Sequence, residues 1–76
     1  MLTMGQIRGK ATRRINDLSP DAARQILEDC HKINSRPGMA GATEKIVVRL
    51  LTGGYWSQSL SADIGFKLGA RARDNE

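Results

Sequence analysis

Ser19-Pro20-Asp21 constrains this chain more than any other three residues. A serine hydroxyl accepts an unpaired backbone N–H at a helix start, proline fits the first helical position because no N–H is needed there, and aspartate faces the positive end of the helix dipole. Whatever precedes must stop by about residue 18, and a helix must begin at residue 20. Behind that start, Ala22, Ala23, Ile26, Leu27, Cys30 and Ile33 share one side, while Arg24, Gln25, Glu28, His31 and Lys32 occupy the other. Arg24–Glu28 and Glu28–Lys32 stand at the i,i+4 spacing that supports a helix. Ahead of it, Met4, Ile7, Ala11, Ile15 and Leu18 recur every three or four residues and predict a helix from about Thr3 to Asp17. Gly5 and Gly9 each cost roughly 1 kcal/mol relative to alanine there, so this helix is expected to form by docking and to fray before Ile7.

The run from Asn34 to Ala42 reads as a loop built on Pro37-Gly38. Between Thr43 and Thr52, Ile46, Val47, Val48, Leu50 and Leu51 span more than half of a helical circumference, which predicts a central, mostly buried helix with Lys45 and Arg49 outside. Gly53-Gly54 is a natural C-cap for it. Leu60, Ile64 and Leu68 recur every four residues and predict a last helix from about Ser57 to Ala72, with Trp56 joining their stripe and Ala62, Phe66 and Ala70 forming a second one. The alternation of Ile64, Phe66, Leu68 and Ala70 with Gly65, Lys67, Gly69 and Arg71 also has the period of a strand. The expected fold is therefore one small all-α domain, a bundle of three to four helices over residues 1–76 with frayed ends at about 1–3 and 72–76. The alternative is α+β, with a strand pair at Thr43–Leu51 and Ile64–Ala70.

A chain of 76 residues buries only ~60% of the surface its unfolded form exposes. That leaves little room for a large cleft or a bound dinucleotide, and makes homodimerisation a reasonable expectation. The lone cysteine, Cys30, cannot form an internal disulfide, and with His31 the only histidine a Cys/His zinc site is excluded. No cofactor is expected. The longest apolar runs are far short of the ~20 residues of a membrane span, so the expectation is a cytoplasmic protein without a membrane partner.

Twelve Lys and Arg against eight Asp and Glu give a net charge of +4 and a pI near 9.8. The excess is concentrated: residues 1–16 carry Arg8, Lys10, Arg13 and Arg14 and no acid. Lys10, Arg13 and Arg14 project from one flank of the first helix and Arg8 from the other. Gly5, Gly9, Thr12 and Asn16 fall opposite the apolar stripe, a small-residue face that a phosphate chain or a partner backbone can approach closely. With Lys67, Arg71 and Arg73, these bases are the candidate contacts to DNA, RNA or a nucleoprotein complex. The bland alternative is a solvated helix face with an Arg13–Asp17 surface pair.

Other motifs fare less well. Gly5-Gln6-Ile7-Arg8-Gly9-Lys10-Ala11-Thr12 misses the spacing of a phosphate-binding loop and follows no strand. A helix-turn-helix across Gly53-Gly54 would present Ser57, Gln58 and Ser61, but it has Leu50 or Arg49 where a small residue is expected and Asp63 at the apolar anchor. His31 suits a C-terminal helix charge, Cys30 a small core residue, and no acid pair or nucleophile–base pair is identifiable. Catalysis is not expected. Tyr55 and Trp56 hold two of the three aromatics and either cap the core or anchor a protein partner. The expected function is a non-catalytic regulatory binder of nucleic acid, or alternatively a protein–protein module such as an adaptor or inhibitor.

Overall fold

The computed structural model describes residues 2–38 and 41–74. Met1, Met39, Ala40, Asn75 and Glu76 lie outside them, and with them part of the expected 34–42 loop and of the expected frayed ends. Four helices follow one another: α1 (Met4–Asp17), α2 (Pro20–Asn34), α3 (Ala42–Thr52) and α4 (Gln58–Ala72). The all-α expectation holds, and both segments of the alternative strand pair are helical.

Local chemistry places the helix starts. The Ser19 hydroxyl accepts the Ala22 N–H at 3.0 Å ahead of Pro20, and the Ser57 hydroxyl accepts the Leu60 N–H at 3.1 Å. The expected fraying before Ile7 is not what the structure has. Thr3 accepts the Gln6 N–H while the Gln6 side chain accepts the Thr3 N–H at 2.8 Å, a reciprocal cap that holds α1 from Met4 despite Gly5. On α2, Arg24 pairs with Asp21 and Gln25 bonds Asp29, whereas the expected Arg24–Glu28 and Glu28–Lys32 pairs are not among the described ion pairs.

Gly53 ends α3 at φ +79°, a left-handed conformation that side chains resist, and the Gly54 N–H closes on the Arg49 carbonyl at 2.7 Å. A Cβ at Gly53 would also fall 2.8 Å from the Lys10 Nζ, the free end of a flexible chain that can swing aside. Gly53→Ala is therefore expected to cost about 1–2 kcal/mol from the backbone alone, read as a lower midpoint in urea unfolding.

The core is a single stripe from each helix: Ile7, Ala11 and Ile15 of α1, Ala23 of α2, Val48 of α3, and Leu60, Ile64, Leu68 and Ala72 of α4. Thr52 is buried among them at 0% exposure. Its hydroxyl lies 2.7 Å from the Val48 carbonyl and 2.6 Å from the Tyr55 carbonyl, donating its one proton to either, and it accepts the Tyr55 N–H at 3.0 Å.

The burial expected for α3 is overturned. α3 is not mostly buried, because Ile46 and Leu50 are 58% and 69% exposed and Val48 alone of its five apolar residues is fully enclosed. The second stripe of α4 faces outward, with Phe66 74% exposed. The cause is shape. The molecule measures 36 × 32 × 15 Å, and with helix axes ~8–10 Å apart its thickness admits two layers of helices. A helix in such a slab has one covered side.

Candidate nucleic-acid interface

α1 is lined with bases along both of its long edges. On the first, the Arg8 guanidinium donates to the Ser59 hydroxyl at the start of α4. One turn on, the Lys67 ammonium donates to the Thr12 hydroxyl at 2.7 Å and pairs with Asp63 at 3.0 Å, while the Thr12 hydroxyl donates to the Arg8 carbonyl at 2.8 Å. At the far end the Arg71 Nε donates to the Leu18 carbonyl at 2.7 Å and its Nη1 to Asp74 at 2.6 Å. Contacts 8–59, 12–67 and 18–71 mean that α1 and α4 run side by side in one direction.

Along the second edge, Arg14 donates to the Leu50 carbonyl and the Lys10 ammonium lies against Gly53. Both sit at the C-terminal end of α3, whose last carbonyls and negative dipole end attract cations. α1 and α3 are thus antiparallel. Between the two edges, Gln6, Arg13 and Asn16 are exposed on the outer side of α1.

Three carboxylates stand among these bases: Asp17 at the end of α1, Asp63 on Lys67 and Asp74 on Arg71. Among the described residues the ion pairs are Arg24–Asp21, Lys67–Asp63 and Arg71–Asp74, so none involves a base of α1. The Arg13–Asp17 pair of the bland alternative is not formed. The Arg8 Nε is buried with no partner among the described residues.

Of the seven bases singled out in the sequence, six gather around α1: Arg8, Lys67 and Arg71 on one edge, Lys10 and Arg14 on the other, and Arg13 between them. Arg73 is not brought to the set; it caps α4 and folds back along Gly69 of its own helix. Arg71 lies in the last turn of α4 and is held through both its Nε and its Nη1. Thr12 does not face water as the small-residue reading allowed, because Lys67 binds it. The sequence carries no local signal for the Arg8–Ser59, Thr12–Lys67 or Leu18–Arg71 contacts, which join residues more than 50 positions apart.

Trp56 precedes the first residue of α4 and does not join the Leu60 stripe, and both Tyr55 and Trp56 are exposed. Trp56 is 38% exposed, with the Lys45 ammonium 4.8 Å from its ring centroid, a cation–π contact. The ring borders an open groove of about 760 Å³ between α2, α3 and α4, floored by Leu27, Val47, Val48 and Leu68. Cys30 also lines the groove instead of lying in the core. Burial, then the charges of Glu44 and Asp29, push its thiol above the ordinary range. Because the thiolate is the reactive form, alkylation of Cys30 by iodoacetamide at pH 8 is expected to be slower in the native protein than in the urea-unfolded chain.

Among the described residues no helix is long and apolar enough to cross a membrane, and no three His, Cys, Asp or Glu side chains gather to hold a metal ion. Compared with protein-family models, curated proteins and solved structures, the chain matches none of them.

Proposed function

We propose that this protein is a non-catalytic binder of double-stranded nucleic acid, with α1 as the element that approaches the duplex. The observation that carries the reading is the assembly of bases from two distant segments along both edges of one helix, the α1 members free of carboxylate partners among the described residues. A helix with its side chains is ≈ 10–12 Å across, and the major groove of B-form DNA is ≈ 12 Å wide. Cations on the two edges of such a helix meet the phosphate strands that border the groove, and these contacts position the protein without reading sequence. Gln6, Arg13 and Asn16, on the side turned outward, are of the residue types that hydrogen-bond base edges.

The internal bonds of Arg8, Arg14, Lys67 and Arg71 hold these side chains in place ahead of binding, which lowers the entropy lost when a phosphate arrives. Titrating the protein with a 16-base-pair DNA duplex tests the reading by amide chemical-shift changes. They are expected along α1 and at Lys67 and Arg71, with α2 unmoved. No shift at any position would remove the duplex reading and leave the protein-partner reading, which Phe66 and Trp56 at the rim of an apolar groove support.

A further inference from the structure

The outer face of α3 exposes Ile46 and Leu50, one helical turn apart, at 58% and 69%. With Arg49, Gly53 and Gly54 they line a shallow hollow of about 440 Å³. An aliphatic side chain left in water forgoes the gain of burial, and the core offers neither residue a place. The border of the hollow is cationic. Arg49 is part of its lining, the Lys10 ammonium lies against Gly53, and Arg14 is bonded to the Leu50 carbonyl. No acid lines the hollow, and none of the three cations belongs to a described ion pair.

We infer that this face of α3 docks an acidic amphipathic helix of a partner protein. Two apolar side chains at i,i+4 offer a seat for the matching pair on a facing helix, the usual arrangement of helix-in-groove recognition. The three cations around them select carboxylates on the flanks of that helix and repel a basic one. Nucleic acid is a poor occupant, because Ile46 and Leu50 offer its bases neither a hydrogen bond nor an aromatic face to stack on. The surface goes beyond the duplex-binding reading but shares Lys10 and Arg14 with it, so a bound acidic helix weakens duplex binding.

The test uses a fluorescein-labelled 16-residue helical peptide with leucines at i,i+4 flanked by glutamates, its lysine-flanked counterpart, and phosphatidylglycerol vesicles. The glutamate peptide is expected to bind the full chain, at least tenfold more weakly to Leu50→Ser and severalfold more weakly to Arg49→Gln, while the lysine peptide does not bind. Leu50 is mostly exposed, so Leu50→Ser leaves the fold intact, as its circular dichroism verifies. No binding of the glutamate peptide, equal binding by Leu50→Ser, or capture of the chain by vesicles and not by the peptide would each overturn the inference. The two surfaces separate by variant: Leu50→Ser keeps duplex binding, and Arg13→Gln keeps peptide binding. If the duplex fails to bind and the peptide binds as described, the duplex reading falls and this one stands.

Discussion

Ile64→Ala is expected to leave much of the protein unfolded at 25 °C, whereas Phe66→Ala, two residues away on the same helix, leaves its stability within about 0.5 kcal/mol. Ile64 is 2% exposed and lies in the stripe of α4 that the core packs around. Truncating a buried isoleucine costs about 2–5 kcal/mol, because the removed carbons lose their burial and the cavity does not fully close. A core this small rarely supplies more than about 3–5 kcal/mol in total, so one truncation consumes most of the margin. Phe66 removes the larger side chain in the substitution, but its ring is already in water. Urea unfolding followed by far-ultraviolet circular dichroism measures both. Equal losses from the two variants would mean that Phe66 is covered in solution and that the assignment of its face is wrong.

The second large effect concerns charge. Replacing Lys10, Arg13 and Arg14 together by glutamine is expected to flatten the dependence of duplex affinity on salt by about one unit per lost phosphate contact. The three positions are not equivalent. Arg14 also serves the Leu50 carbonyl of α3, so Arg14→Gln alone lowers stability as well as affinity, by about 1.5–3 kcal/mol at most for a hydrogen bond to a charged group. Arg13 has no such duty and faces outward between the two edges, so Arg13→Gln is expected to weaken duplex binding with the unfolding midpoint unchanged.

The helices were legible because their signals are local. The Ser19 cap, Pro20 at the first position and the spacing of Leu60, Ile64 and Leu68 act within a turn or two, and each is realised in the structure. The strand-like alternation of Ile64, Phe66, Leu68 and Ala70 arose because two outward residues, Phe66 and Ala70, happen to be apolar. Burial was harder to read. Five apolar residues in α3 suggest a helix covered over more than half its circumference, but covering it needs neighbours that a two-layer slab of 76 residues does not have.

The cationic site was legible as a list of bases and not as an arrangement. Nothing near Arg8 in the sequence announces Ser59, and nothing near Thr12 announces Lys67, since those meetings depend on the parallel packing of α1 on α4. Thr52 escaped notice for a related reason. A threonine at the end of a helix carries no local sign of burial, and its role as the buried anchor of the Tyr55 backbone emerges only when the turn closes over it.

The most direct measurement is the affinity of the full chain for a 16-base-pair duplex, by fluorescence anisotropy, between 50 and 200 mM salt. With about five phosphate contacts, affinity is expected to fall by a few hundredfold across that range, along a slope of about −4.5 in logarithmic units. Affinity that does not change with salt, or a duplex that is not bound even at 50 mM, would contradict the account.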